Sequence, residues 1–108
     1  MKEDRLGDRV RLEHIQYCLA EIKVYTENAN FDVFSQNSMM YNACLRQLEI
    51  MGEAANRLST ILREKYPSTN WIQIIGLRNL LIHEYFGVKP EVIWEIIQYD
   101  LPFFDSQI

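Results

Sequence analysis

Apolar residues recur every three or four positions along most of this chain, a spacing that predicts helices rather than strands. The first apolar stripe follows Asp8, a residue type favoured at helix N-caps, and we expect this helix to run to about Asn28 or Asn30. The polar segment from Asn28 to Ser38 is predicted as a loop or a single helical turn. No segment alternates between apolar and polar residues for long, so the sequence predicts an all-α protein.

A second and longer apolar stripe begins at about Ser38 and steps by four and three, the spacing of helices that pack in antiparallel bundles. Its members are Met40, Cys44, Leu48, Met51, Ala55, Leu58 and Leu62. The stretch is long for one globular helix, so we predict a break near Ser59. Pro67 ends the helical stretch, because the residue before a proline is pushed out of the α region. Gly52 thins the stripe in its middle, which would let another helix approach closely.

The stretch from Trp71 to Gly87 is apolar on nearly every side, and we expect the fold to be organised around it. A helix that is hydrophobic all round is buried, against its own domain and often against a second subunit. Asn70 is predicted to cap it in a capping box. A last helix is expected from Pro90 to about Tyr99, followed by a final turn in which the aromatic tail folds back onto the core. The predicted architecture is an up-and-down bundle of four or five helices, formed by residues 1–108 as one domain.

The composition limits the partners that this chain can have. With 48% hydrophobic and 24% charged residues it is typical of a folded globular domain. Its net charge of −4 gives no overall basic field for nucleic acid, so any RNA contact must be local. Cys18 and Cys44 lie outside any CxxC or Cys/His cluster, which favours reduced core cysteines and no metal site. The N-terminal segment lacks a signal-peptide core and no apolar run approaches about 18 residues, so we expect a cytoplasmic protein outside the membrane.

Cationic and titratable side chains lie in the second half of the apolar stretch from Trp71. Arg78, His83 and Tyr85 form the pattern R-x4-H-x-Y. At ~100° per residue, Tyr85 falls about 20° from Arg78, whereas His83 falls about 40° from Asn79. One straight helix therefore cannot aim all four at one ligand: either it ends near His83 and the ring swings round, or two copies of the helix meet. Charged groups on a buried helix are costly unless paired or used, which makes this the first candidate site.

Glu53, on the second long helix, is a candidate partner for this site. Its side chain could reach inward to Arg78; alternatively, Glu49, Glu53 and Arg57 are i,i+4 neighbours on a solvated face. His14 borders the first apolar stripe without a ligand partner and is interpreted as a partly buried structural histidine. The residues alone favour a structural role for the motif, in which its arginine and histidine tie helices together.

Taken together, these features resemble the HEPN superfamily, and in particular the HepT-like toxins of two-component toxin–antitoxin pairs. R-x4-H alone is a weak pattern, but several further features occur in order over most of the chain. They are Gly52-Glu53-Ala54-Ala55 in the second helix, the Tyr66-Pro67 break, Trp71 opening the motif helix, Ile75-Gly76 before Arg78-Asn79, and Phe86-Gly87 after Tyr85.

The resemblance implies a metal-independent endoribonuclease that needs no cofactor, the toxin of a type VII-like toxin–antitoxin system. It implies a homodimer whose motif helices line a shared cleft, an RNA substrate, and a small nucleotidyltransferase antitoxin that transfers AMP to Tyr85. Arg78 and His83 are the expected catalytic residues, supported by Asn79 and Glu53. The residue chemistry agrees, because RNA supplies its own nucleophile in the 2′-OH, histidine can transfer protons near neutral pH, and arginine fits a phosphate.

Two other classes of function remain open at this point. The chain could be a noncatalytic helical module that binds and regulates a small nucleotidyltransferase, or a plain dimerisation adaptor whose polar cluster is structural. The ribonuclease needs both Arg78 and His83 for RNA cleavage. The regulatory module needs only partner binding, and the adaptor needs neither.

Overall fold

The structure, a computed structural model, describes residues 7–84 and 87–108. Within these ranges the chain is helical and contains no strand, which confirms the predicted all-α class. The helices are α1 (Gly7–Tyr25), α2 (Phe31–Gln36), α3 (Ser38–Asn56), α4 (Thr60–Lys65), α5 (Trp71–His83), α6 (Pro90–Glu95) and α7 (Leu101–Gln107). A π-helical turn, Ile96–Asp100, joins α6 to α7. The four long helical stretches form the bundle, and α2 and α4 are short connecting helices.

Helix α3 is the centre of the bundle, because it packs against α1 on one side and α5 on the other. The middle of its predicted apolar stripe is fully buried: Cys44, Leu48, Met51 and Ala55. The expectation that the fold is organised around α5 is therefore wrong. Helix α5 buries one face only, through Trp71, Ile74, Leu77 and Leu81, whereas α3 has packed neighbours on both sides.

Asp8 does not cap α1, because the helix already begins at the residue before it. Its carboxylate instead accepts hydrogen bonds from the backbone N–H and the hydroxyl of Ser59, at 2.8 and 2.6 Å. This contact ties the start of α1 to the start of α4. At its other end α1 stops at Tyr25, and Asn28 takes the left-handed conformation (φ 63°), so the helix cannot run as far as predicted.

The predicted breaks are confirmed. The polar segment between residues 28 and 38 contains the short helix α2, and Ser59 separates α3 from α4, with its hydroxyl oxygen accepting from the N–H of Leu62. Asn70 caps α5 by accepting from the N–H of Gln73 at 3.1 Å. Only half of the capping box forms, because the Gln73 side chain donates to Asp100 instead of returning to its own helix.

The C-terminal stretch stays helical, so the predicted final turn after Tyr99 is wrong. The backbone N–H of Leu101 donates to the carbonyl of Ile96, five residues back, which widens one turn just before Pro102. Proline has no N–H to donate, and the wide turn accommodates it without ending the helix. The aromatic tail still reaches the core, where Phe104 packs edge-on against Trp71 with ring centroids 5.6 Å apart.

Cys18 and Cys44 are free thiols in the core, as the sequence predicts. Burial is the main reason why their pKa values are raised, to about 11 for Cys18, with a smaller contribution from Glu21, and to about 12 for Cys44. Neither thiol is therefore activated as a nucleophile. Across residues 7–84 and 87–108, no helix combines the length and the apolar character needed to cross a membrane.

Candidate functional site

The guanidinium of Arg78 is held against α3 by Glu53. Its Nε forms an ion pair with Oε1 of Glu53 at 2.9 Å, and Oε2 of the same carboxylate accepts a hydrogen bond from Nε of Arg57, also at 2.9 Å. The predicted reach from Glu53 to Arg78 is confirmed, and the i,i+4 pair with Arg57 exists beside it. The side chains of Arg78 and Glu53 are 40% and 35% exposed, so the pair adds little to stability and mainly orients the guanidinium.

Helices α3 and α5 come closest where Arg78 leaves α5. A Cβ added to Gly52 would lie 3.0 Å from three atoms of α5, namely Cβ and N of Arg78 and the carbonyl oxygen of Ile74. A side chain at this position would push α5 away from α3. The predicted close approach at Gly52 is thus confirmed, and it sets the distance over which Glu53 contacts Arg78.

Arg78 retains donors for a ligand. Its Nη1 donates to Oδ1 of Asn79 at 3.0 Å, and its Nε lies against Glu53 in the ion pair, so two of its five N–H groups are engaged. The remaining three have no partner among the residues that the structure describes. A guanidinium fixed on one edge and open on the other suits a bidentate contact with a phosphate.

A groove of about 290 Å³ lies beside Arg78, between α1, α3 and α5. Three arginines line it, Arg11, Arg46 and Arg78, together with the carboxylates of Glu49 and Glu53. The groove thus concentrates arginines at one place on a chain whose net charge is −4. This is a local basic site of the kind that the acidic composition requires for RNA contact.

His83 is not part of this groove. It is the last residue of α5 and is exposed, and its side chain forms no hydrogen bond or ion pair with any described residue. The helix ends at His83, as one of the two sequence-based alternatives requires. The next residue, Glu84, is the C-cap: its N–H donates to the carbonyl of Leu80, but its own backbone is no longer helical. Ile82 lines the groove, whereas His83 does not. A single chain therefore brings Arg78, Asn79 and Glu53 together without His83.

The outer face of α5 carries His83 together with apolar residues. Ile72 is 86% exposed and Ile82 43% exposed, so the expected burial of α5 on all sides does not occur within one chain. At ~100° per residue, Asn79 and His83 fall within about 20° of Ile72 on the helix. Gly76 lies in the middle of this face, and no atom lies within 4 Å of a Cβ added to it.

Comparison with known proteins assigns the chain to a family. A family model described as "Ribonuclease HepT-like" matches residues 15–108. The chain belongs to this family. The match includes α5 with its motif and the part of α3 that holds Glu53, and it confirms the resemblance that the sequence indicates.

Several curated relatives of this HepT-like chain carry ribonuclease names. One is "Putative RNase TTE0752" of Caldanaerobacter subterraneus subsp. tengcongensis, 40% identical over 101 residues, which are 93% of this chain and 89% of that protein. Another is "Putative RNase MJ1380" of Methanocaldococcus jannaschii, 40% identical over 78 residues, 72% of each chain. A third is "Probable ribonuclease HepT" of Thermococcus cleftensis, 32% identical over 91 residues, 84% of this chain and 83% of that protein. No solved structure matches the HepT-like chain significantly.

Tyr85, the expected site of AMP transfer in this HepT-like chain, lies outside the described residues, as does Phe86. Its role stays a prediction. Within the described ranges, no three His, Cys, Asp or Glu side chains are placed to hold a metal ion.

The sequence did not indicate that α1 and the first half of α3 contribute to the site. His14, interpreted as partly buried, is exposed and lines the same groove as Arg78. Arg11 and Arg46 line it too. The one available signal was the i,i+3 spacing of Arg11 and His14 at the edge of the first apolar stripe, which places both on one side of α1.

Proposed function

We propose that this HepT-like chain is a metal-independent endoribonuclease and the toxin of a type VII-like toxin–antitoxin system. The observation that carries the proposal is Arg78, held by Glu53 at a basic groove with three N–H groups open to a ligand. Membership of a ribonuclease family supports RNA as the substrate class.

In the proposed reaction the RNA 2′-OH attacks the adjacent phosphorus while the P–O5′ bond breaks, leaving a 2′,3′-cyclic phosphate and a 5′-OH. His83 accepts the proton of the attacking 2′-OH and returns a proton to the departing O5′, because histidine exchanges protons near neutral pH. The open N–H groups of Arg78 stabilise the charge that develops on the phosphorane oxygens. Glu53 and Asn79 keep the guanidinium in place. No metal ion is required for any of these steps.

A homodimer would bring His83 to the groove. The outer face of α5, which carries His83 and exposes Ile72, is the face that a second copy would cover. The histidine of one copy would then serve the Arg78 groove of the other. Such an interface should bury at least ~1,000 Å² in total. A monomeric mass by light scattering at micromolar concentration would contradict this arrangement.

The activity is tested by incubating purified protein with RNA in the presence of a chelator and following cleavage on a gel. We expect Arg78→Ala and His83→Ala each to lower the cleavage rate by ~10²-fold or more, with unchanged circular dichroism. Arg9→Ala is the matched control, because Arg9 is an exposed arginine of α1 whose ion pair with Glu13 lies outside the groove. Full cleavage by either folded variant of the motif would refute the enzymatic assignment.

Mixing the two inactive variants tests whether the site is shared. If Arg78 of one copy acts with the histidine of the other, a mixed dimer of Arg78→Ala and His83→Ala chains contains one intact site. Activity should return on mixing, to no more than half of the wild-type rate. If both residues act within one chain, the mixture stays inactive.

Silencing of the toxin would come from a nucleotidyltransferase antitoxin that transfers AMP to Tyr85. An AMP ester would place a bulky anion near Arg78, where it competes with the RNA phosphate. Intact mass after incubation with the transferase and ATP should rise by one AMP group, and Tyr85→Phe should prevent both the mass change and this inhibition. A chain that binds the transferase without ever cleaving RNA would instead be the noncatalytic regulatory module.

A further inference from the structure

We propose that the groove holds two successive phosphates of single-stranded RNA, with Arg78 on the scissile phosphate and Arg46 with His14 on a neighbouring one. This second phosphate subsite rests on the proposed function for the identity of its ligand. It involves α1 and the first half of α3, which lie outside the R-x4-H-x-Y motif. The subsite would make the length of the bound RNA a determinant of affinity.

Arg46, like Arg78, is paired with a glutamate of α3, and the two glutamates are one helical turn apart. Its Nη1 donates to Oε1 of Glu49 at 3.1 Å, and its other N–H groups have no partner among the described residues. Glu49 and Glu53 are four residues apart on α3, so the two positions are ~6 Å apart along the helix axis. Each carboxylate therefore orients one arginine at the same groove. This separation is of the order of the spacing between successive phosphates in one strand.

His14 faces the groove from α1. Its side chain is exposed and makes no hydrogen bond or ion pair with any described residue, so its ring nitrogens are open to a ligand. An imidazole carries an N–H that can donate to a phosphate oxygen. His14 and Arg46 thus offer donors from two different helices to one anion.

The groove also offers an apolar surface beside its cations. Ile50, Ala54 and Ile82 line it together with the arginines. The ribose that links two phosphates, with its attached base, can pack against such a surface, whereas two isolated inorganic anions have no apolar part to place there. The combination of spaced cations with an apolar wall therefore favours a polynucleotide over a small anion.

The test is the binding of short single-stranded RNAs, 2′-O-methylated so that they cannot be cleaved, followed by fluorescence anisotropy with the intact protein. Oligonucleotides with one and with two internal phosphates are compared. Wild-type protein should bind the longer one at least ~10-fold more tightly, a difference of about 1.4 kcal/mol. Arg46→Ala and His14→Ala should each reduce this gain, and the double variant should remove it. Binding of the one-phosphate RNA should change little.

Arg9→Ala is the matched control, since it removes the same charge from a side chain on α1 that is 91% exposed and outside the groove. This variant should still bind the RNA with two internal phosphates more tightly than the RNA with one, by the same factor as the wild type. The salt dependence gives a second readout: log K against log salt should lose about one unit of slope in Arg46→Ala. For cleavable RNA, Arg46→Ala should raise KM by a larger factor than it lowers kcat, as expected for a binding contact.

The outcomes separate this subsite from the proposed activity. If wild-type protein never cleaves RNA but the length gain exists and depends on Arg46, the ribonuclease proposal fails and the subsite stands. If RNA is cleaved but Arg46→Ala and His14→Ala bind both lengths like wild type, the subsite is refuted. It is equally refuted if these variants lose binding to the transferase and not to RNA, which would make the groove a protein contact.

Discussion

At the scale of single residues, the carboxylate of Glu53 decides how Arg78 is presented. It contacts Arg78 with one oxygen and Arg57 with the other, and all three side chains are partly exposed. Exposed ion pairs contribute only about 0–1 kcal/mol to stability. The orientation that Glu53 gives to the guanidinium is therefore its main contribution.

We predict that Glu53→Gln lowers RNA cleavage by about 10-fold or more, because a misplaced guanidinium loses its alignment with the phosphate. The free energy of unfolding should fall by less than about 1 kcal/mol. Initial cleavage rates and urea unfolding measure the two effects. Glu13→Gln is the control, since Glu13 pairs with Arg9 on the surface of α1 and touches no part of the groove. Wild-type cleavage by Glu53→Gln would show that Arg78 needs no positioning partner.

The pairing of Glu53 with Arg78 could be predicted from the sequence because it depends on local spacing. Glu53 follows Gly52 directly, and Arg78 lies on the apolar helix that can pack closely against α3 at this glycine. The contribution of His14 and Arg46 could not. Their meeting at one groove depends on how α1 and α3 are rotated about their axes, which apolar stripes define only to within a residue or so.

At the scale of elements, the stripes identified the helices but not all of their ends. The breaks at Ser59 and Asn70 were predictable, since capping side chains act locally. The helical course through Pro102 was not. A proline two residues after an aspartate predicts the end of a helix, whereas the core contact of Phe104 with Trp71 stabilises the helical path and the wide turn accommodates the proline.

Gly52 allows a test of the α3–α5 contact as a unit. We predict that Gly52→Ala lowers the free energy of unfolding by about 1–2 kcal/mol, since overpacking against backbone atoms outweighs the roughly 1 kcal/mol that alanine gains in a helix. Cleavage should fall as well, because α5 carries Arg78 away from Glu53. Asn56→Ala, at an exposed position of α3, should change the unfolding free energy by less than about 0.5 kcal/mol. An equally stable and active Gly52→Ala would mean that the helices are not in close contact.

At the scale of the whole molecule, one chain leaves the outer face of α5 uncovered. Apolar composition predicted a helix buried on all sides, yet α3 covers only one side of it. A pattern of residues cannot tell whether the second cover belongs to the same chain or to another copy. Glycine in a helix costs about 1 kcal/mol relative to alanine, and no contact with residues 7–84 or 87–108 explains its presence at position 76.

A second copy of α5 packed across Gly76 would explain both the glycine and the exposed Ile72. We predict that Gly76→Leu leaves the helical circular dichroism intact but weakens dimerisation by ~10²-fold or more, because the larger side chain prevents close approach of the two helices. Cleavage should fall in parallel, since each site is proposed to need both copies. Ala20→Leu adds a leucine at an exposed position of α1 and is the control. It should leave the dissociation constant of the dimer unchanged. Sedimentation across a concentration series measures the dissociation constant. Wild-type dimerisation by Gly76→Leu, together with Gly76→Ala that raises the unfolding free energy by about 1 kcal/mol, would show that this face is solvated and that the copies meet elsewhere.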